Sequence, residues 1–221
     1  MREVPAKLAD HPDRLRWNAR YEASADASFH PHPLAAQALS LPLPDGPVLD
    51  LASGPSGTAL LAAAAGRHVT AVDVSEVALG LLAAEAHRRG VGELVTLVHA
   101  DLGSWRPQPG RYSLVLCTNF WDRSVFAPAA AAVAPGGLLA WEAFTVAALT
   151  TRPAVRAEWC LAPGEPASLL PAGFTVLSQA DQHDCPPPDR LSQGADEPAV
   201  RRRLLARSPV DNLTTQRWWR P

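Results

Sequence analysis

From Pro47 onward the chain alternates between two patterns of apolar positions. PVLDLA, HVTAVDV, ELVTLVHAD, YSLVLCT and GLLAWEAF are short apolar runs of the length expected for buried strands. GTALLAAAAG, stopped by Gly66, and EVALGLLAAEAHRRG, capped by Ser75 and closed by Gly90, fall between the first three and predict helices. FTVLSQA and RRRLLARS predict a sixth and a seventh strand, joined by a long exposed connection containing CPPPD and SQGADEP. Ahead of the alternation, residues 11–23, HPDRLRWNARYEA, predict a helix. Asp10 can cap it, Pro12 suits its first turn, and Trp17 and Tyr21 share one face at i,i+4 spacing. SFHPHP and LPLPDGP read as extended loop.

Strands alternating with helices predict an α/β fold with a parallel sheet covered on both faces. Ligands of such sheets sit outside the carboxyl ends of the strands, near the switch in strand order. No internal repeat or linker interrupts the pattern, so residues 1–221 read as one domain. Within it, residues 1–46 form an N-terminal lid helix and loop, and 47–221 the sheet with its insertions.

Composition narrows the function classes. A hydrophobic content of 47% with 19% charged residues supplies a globular core. The formal net charge of −2 offers neither a surface suited to nucleic acid nor a polybasic membrane anchor. The most apolar region, Val125 to Phe144, is broken by Pro128, Pro135 and a Gly-Gly pair, which argues against a membrane span. Cys117, Cys160 and Cys185 are odd in number and widely spaced, suggesting neither a disulfide framework nor a zinc site. The opening MREVPAKLADHPDRLRW lacks an apolar signal core, so the expected setting is the cytoplasm.

The candidate chemistry lies at the strand ends. Asp50 ends the first strand, Asp73 the second, and Asp101 follows the third, so all three face one carboxyl edge. Singly, each aspartate could merely cap a helix or close a turn. Three in successive units beside the small-residue turn ASGPSG point to a ligand with a ribose, an adenine and a positive group. Asp73 can accept from ribose hydroxyls, and Asp101 from an exocyclic amine. Asp50 favours an ammonium or sulfonium and opposes a pyrophosphate. S-adenosyl-L-methionine has all of these features.

VLDLASGPSG, HVTAVDVS, HADLGSW, YSLVLCTNFWDR and PGGLLAWEAFT together resemble the motifs of class I S-adenosylmethionine-dependent methyltransferases. The small branch related to tellurite-resistance and thiopurine methyltransferases is the most similar, because the Trp17–Tyr21 helix precedes the core in the same way. The resemblance covers residues 13–145 well and the C-terminal third loosely. It implies a Rossmann-like seven-stranded sheet of order 3-2-1-4-5-7-6 with the last strand antiparallel. It also implies that Asp50, Ala52, Ser53 and Gly54 cradle the methionine part of the cofactor, and that Asp73 and Val74 hold its ribose and adenine. Asp101 and Leu102 would hold the adenine, Cys117 would flank the methionine, and Trp17 and Tyr21 would close over the cofactor. The family loop commonly reads D-x-G-x-G-x-G, whereas Ala52 and Ser56 occupy the outer glycine places here. Ser56 can cap the following helix, with Gly57 relieving crowding.

Segments 118–126, 144–163 and 181–198 should ring the same edge on the substrate side, and loops of this length often serve as lids. Candidate substrate contacts are Phe120, Arg123 and Trp159; candidate catalytic residues are Asn119 and Glu142. Phe120 and its neighbour Trp121 can equally be packing, and Arg123 can pair with Asp122 or Glu142. A carboxylate inside the apolar strand AWEAF needs a partner. Glu142 is therefore either a residue acting on an oxygen substrate or the counter-charge of an arginine. His30 and His32 stand two apart, too few ligands for a metal, and read as loop; no metal is expected. Arg201 to Arg203 read as a solvated charge run opening an edge strand, or as an anion contact.

The expected activity is methyl transfer from S-adenosylmethionine to a small-molecule thiol, halide, metalloid oxyanion, carboxylate or hydroxyl. The alternatives are a non-catalytic cofactor-binding module, or a methyltransferase acting on protein or nucleic acid. TNFWDR stands where many base-amine methyltransferases carry N/D-P-P-Y/F, and the nicotinamide fingerprint G-x-G-x-x-G is absent.

Overall fold

The computed structural model describes residues 4–23, 28–183 and 200–210. Cys185, the CPPPD and SQGADEP segments and the terminal RWWRP lie outside those residues. Seven strands make one sheet: β1 Val48–Leu51, β2 Val69–Asp73, β3 Val95–His99, β4 Tyr112–Thr118, β5 Val133–Phe144, β6 Thr175–His183 and β7 Val200–Arg207. Their order is β3-β2-β1-β4-β5-β7-β6. β1 pairs in parallel with β2 and β4, β2 with β3, and β4 with β5. β7 is antiparallel to both β5 and β6. The start of β7 therefore joins the carboxyl ends of the other strands along one edge.

Among the described residues five α-helices accompany the sheet: α1 Pro12–Glu22, α2 Pro33–Leu39, α3 Gly57–Ala64, α4 Glu76–Arg88 and α5 Arg123–Ala131. Leu34, Leu60 and Leu82 of α2, α3 and α4 pack with Val48, Ala71, Leu114, Leu116 and Leu138 on one face. On the other face Phe126 and Ala129 of α5 pack with Leu49, Val115, Leu139 and Trp141. The alternation of inward side chains along each strand divides the core in this way.

Ser56 and Ser75 cap α3 and α4, their hydroxyls accepting from the amides of Ala59 at 3.0 Å and Ala78 at 3.1 Å. Asp10 does not cap α1. The helix starts one residue later than such a cap requires, with His11 in the capping position and Pro12 at the first turn. The sequence pattern predicts neither α2, which lies between the SFHPHP and LPLPDGP loops, nor α5. In α5, Pro128 removes one helical hydrogen bond, and the helix persists because Val125, Phe126, Ala129 and Ala130 are buried against the sheet. A Cβ on Gly57 would lie 2.3 Å from the Phe29 carbonyl oxygen, so the 28–32 segment fixes a glycine at the start of α3.

The arginine run is not a solvated edge. β7 lies between β5 and β6, which brings Arg201 and Arg203 beside Phe144 and Glu142. Arg202, on the opposite face, bonds Asp181 and the Glu165 carbonyl. Among the described residues, no helix is long and apolar enough to cross a membrane.

Candidate active site

A cleft of about 700 Å³ opens at the carboxyl edge of the sheet. Its floor is the turn that links β1 to α3. Ala52 (φ 49°) and Gly54 (φ 58°) both adopt left-handed backbone there, and the Ser53 amide donates to the Val72 carbonyl at 3.1 Å. The turn is also tied to β2 through Asp73. One Asp73 carboxylate oxygen accepts from the Gly54 amide at 2.7 Å, the other from the Ser75 amide at 2.8 Å. Burial raises the Asp73 pKa, against the opposing pull of those amides.

Asp50 lies beneath the turn. The Ser56 hydroxyl donates to it at 2.5 Å while capping α3. Burial pushes the Asp50 pKa up to about 7; the Ser56 hydrogen bond opposes the rise and the nearby charge of Asp73 adds to it. Ser56 thus replaces a glycine and gains two bonds. Asp101 stands at the rim, where it accepts from the Gly103 amide at 2.9 Å.

α1 covers this half. Trp17 and Tyr21 stack with centroids 5.8 Å apart, and a Cβ on Gly54 would lie 2.8 Å from the Tyr21 hydroxyl. Burial, reinforced by Asp73, pushes the Tyr21 pKa up to about 12. The helix is anchored beside Asp73: the Ser75 hydroxyl donates to Asn18 at 2.7 Å, and Arg14 Nε donates to Glu76 at 2.8 Å. Partial burial works against ionisation of Glu76, yet bonds from Arg14 and Asn18 bring its pKa down to about 2.

The other half is built by chain segments far apart in sequence. Asn119 follows β4 in left-handed conformation (φ 62°), its amide donating to the Glu142 carbonyl at 2.9 Å. The Glu142 side chain is 1% exposed and does not line the cleft. It is ion-paired with Arg203 and lies 3.5 Å from Arg201 and 3.1 Å from His32 Nε2. His32 Nδ1 accepts from the Leu34 amide, so Nε2 carries the proton and donates to Glu142. Although burial opposes ionisation, His32 and Arg203 hold the Glu142 pKa below its ordinary value.

Ala52, Ser53, Gly54, Asp73, Val74, Asp101, Leu102, Trp17, Tyr21, Asn119, Phe120 and Trp159 line one continuous cleft. Asp50, Cys117, Glu142 and Arg123 do not. Cys117 is fully buried in β4, which drives its thiol pKa well up. Arg123 pairs neither with Asp122 nor with Glu142 but with Glu165, at 2.7 and 2.9 Å. Asp122 instead caps α5 through the Ser124 amide. Trp121 lines the cleft while packing on Phe126 and Trp141. Arg16 lies over the rings of both Trp17 and Trp159, joining α1 to the loop after β5.

Sequence reasoning did not place Arg16, Arg20, Arg152 or His30 in the cleft, and left Arg201 as one of two readings. The first four stand on α1 or in loops, where no periodic signal marks them. The available signal for Arg201 was its register opposite Phe144, two positions beyond Glu142, in an antiparallel partner of β5.

Residues 48–137, which hold the turn, Asp50, Asp73 and Asp101, match a family model described as a methyltransferase domain. No curated protein matches the sequence. Several solved structures share the fold. The geranyl diphosphate C-methyltransferase of Streptomyces coelicolor A3(2), solved with magnesium, geranyl diphosphate and S-adenosyl-L-homocysteine, is similar with a TM-score of 0.63. It is 12% identical, and the alignment covers 90% of this chain and 98% of that one. A protein that converts a disulfide bond into a thioacetal group during echinomycin biosynthesis gives a TM-score of 0.61 at 18% identity, covering 90% and 94%. Phosphoethanolamine N-methyltransferase 2 of Haemonchus contortus, solved with S-adenosyl-L-methionine, gives 0.61 at 16% identity. That alignment covers 79% of this chain and 52% of the worm protein.

Proposed function

We propose that this chain is an S-adenosylmethionine-dependent methyltransferase whose acceptor is a small-molecule nucleophile. The observation that carries the reading is the linked set of turn, Asp73 and Asp101, lying within the segment that matches a methyltransferase domain. The residues fit the cofactor. Gly54 leaves room directly beneath the Tyr21 hydroxyl, and the aspartates suit hydroxyl, amine and cationic groups. Asp73 and Val74 would hold ribose and adenine, Leu102 and Asp101 the adenine, and Ala52 to Gly54 the methionine part. Asp50 braces the turn from below through Ser56, and Trp17 with Tyr21 forms the cover. The α1 helix ahead of the core supports a place near the small tellurite-resistance and thiopurine branch.

When bound, S-adenosylmethionine supplies an electrophilic methyl group on a sulfonium. The protein contributes alignment and exclusion of water. Asn119, Phe120 and Trp159 face the acceptor, and aromatic faces near the sulfonium add cation–π attraction. Glu142 is a positioning residue in this reading. Its oxygens are engaged by His32 and Arg203 and its pKa is held down, which makes it a poor proton acceptor. A soft or already ionised nucleophile needs none.

The test is calorimetry with S-adenosylhomocysteine, followed by a screen of thiols, halides, carboxylates and alcohols for its production from S-adenosylmethionine. Binding in the micromolar range, about −8 kcal/mol, with turnover of at least one acceptor is expected. Failure of the wild-type protein to bind the product sinks the reading. Binding without turnover across the panel would favour a non-catalytic module.

A further inference from the structure

We infer that His30 is the proton acceptor of the methyl transfer, and that the methyl acceptor is a hydroxyl compound which loses a proton as it attacks. This assignment rests on the proposed methyltransferase reading; it adds a catalytic residue and narrows the substrate class. His30 lines the cleft and is exposed there. Its Nδ1 lies 3.0 Å from the Ser28 hydroxyl, and Nε2 bonds nothing among the described residues. The Ser28 oxygen can accept from Nδ1–H in the neutral and the charged ring alike, which leaves the Nε2 lone pair available in the neutral form. Imidazole suits proton transfer near neutral pH.

The segment that carries this ring runs between the two halves of the cleft. At one end it packs on the start of α3. A Cβ on Gly57 would lie 2.3 Å from the Phe29 carbonyl oxygen and 2.5 Å from that of His30. The turn before Gly57 is the one assigned to the methionine part of the cofactor. At the other end the His32 amide donates to the Thr58 hydroxyl at 3.3 Å, and the His32 ring donates to Glu142 at 3.1 Å. The His30 backbone is thereby held at the passage from cofactor to acceptor.

The other titratable groups of the lining are committed elsewhere. Both His32 nitrogens are used, Nδ1 by the Leu34 amide and Nε2 by Glu142. Asp13 is paired with Arg16 at 2.9 Å, and Asp73 accepts from two backbone amides. Asp101 accepts from the Gly103 amide on the adenine side. Burial pushes the Tyr21 pKa up to about 12, and His11 starts α1, the cover of the cofactor half.

Trp121 independently favours an oxygen on the acceptor. It is 2% exposed and lines the cleft, and its indole N–H has no hydrogen-bond partner among the described residues. Buried donors are nearly always paired, and oxygen is a stronger acceptor than sulfur. His30 Nε2 takes the hydroxyl proton as the oxygen bonds the methyl carbon, whose bonding pair to sulfur stays on sulfur. The positive charge passes from sulfonium to imidazolium, and the exposed ring returns the proton to solvent.

The test uses the full chain with phenol and benzenethiol as probes. They share a ring, suited to the Phe120 and Trp159 lining, and at neutral pH benzenethiol is largely ionised whereas phenol is not. In the S-adenosylhomocysteine complex, diethyl pyrocarbonate should acylate His30 well before His32, as located by peptide mass spectrometry. Phenol should slow that acylation severalfold, a readout on the wild type that needs neither turnover nor a folded variant. With S-adenosylmethionine, His30→Gln should lower product formation from phenol by about 10²–10⁴-fold, the range for a lost general base, and slow benzenethiol far less. Added imidazole should restore part of the phenol rate. No turnover of phenol by the wild type, equal slowing of both probes, or acylation of His30 untouched by phenol overturns the assignment. Failure of the wild type to bind S-adenosylhomocysteine in calorimetry overturns the underlying cofactor reading instead.

Discussion

The two halves of the cleft are assembled over different distances along the chain. In the strand-end turns of the cofactor half, Ser75 bonds Asp73 across 2 positions, Ser56 bonds Asp50 across 6, and Gly54 bonds Asp73 across 19. The α1 cover of that half reaches further, Asn18 meeting Ser75 across 57. In the acceptor half, Arg203 meets Glu142 across 61 positions and His32 meets it across 110. The first half is acidic and made where strands turn into helices. The second is made where unrelated segments converge. A strand that ends in aspartate before a small-residue turn repeats its signature unit by unit. A buried glutamate gives no sign of which arginine will reach it.

The largest effect should come from the acceptor half. Glu142→Ala removes the buried carboxylate that Arg203 bonds and should cost about 3 kcal/mol. That is the lower end for breaking a buried pair, since Arg203 is partly exposed. Chemical denaturation reads the loss, and S-adenosylhomocysteine affinity should hardly move. The Glu142 pKa is depressed in the folded state, so its contribution is complete above the ordinary carboxylate value and fades as pH falls through the folded value. Variant and wild type should therefore converge in acid. A cost that stays constant down to low pH would mean that packing, not charge, is lost.

Asp73→Ala is the corresponding cut in the cofactor half. It deprives the Gly54 and Ser75 amides of an acceptor and should weaken S-adenosylhomocysteine by about 1–3 kcal/mol. Equal affinity in variant and wild type would break the division between the halves. Ser56→Ala should cost less, about 1 kcal/mol of stability for the lost cap. The pH dependence in this half has the opposite sign. The folded Asp50 pKa is raised to about 7, so its contribution is full below the unfolded value and is lost as pH rises through 7. Asp50→Asn should flatten that decline between about pH 4 and the folded value; an unchanged slope in a thermal-melt series would exclude Asp50 as its source.

The smallest effects compare backbone strain. Ala52 and Asn119 are left-handed residues on opposite sides of the switch point. Ala52→Gly should relieve about 1 kcal/mol of strain, partly offset by added freedom in the unfolded chain. Asn119→Gly should gain less, because asparagine tolerates this conformation. Melting temperatures that rise more for Asn119→Gly would contradict this ranking.

Most of the sheet and much of the cofactor half were legible because each signal is local. Five apolar runs, two serine caps and three aspartates fall where the chain changes direction. α2 escaped because PLAAQAL is short and begins directly from a proline-containing loop, and α5 because Pro128 interrupts its pattern. Asp50 was legible as an acid at a strand end, yet not as one bonded beneath the turn by Ser56, since a hydroxyl in a glycine place carries no sign of its acceptor. The arginine run misled for a related reason. Its three charges suggest solvent when β7 is taken alone, while its antiparallel insertion beside β5 gives two of them a buried partner and the third a rim carboxylate.

That insertion also orders events in time. During synthesis β1 to β5 leave the ribosome well before β7, and among the described residues the turn, Asp73 and Asp101 of the cofactor half all come from before β5. Until residues 200–207 slide between β5 and β6, both of those strands keep an open edge and Glu142 has no arginine. A nascent chain stalled before that point has the Glu142 carboxylate unpaired with Arg203, and its unpaired edges invite capture by chaperones or by another chain. Pairing of Glu142 with Arg203 thus coincides with closure of the sheet, so a neutralised Glu142 reports a finished fold.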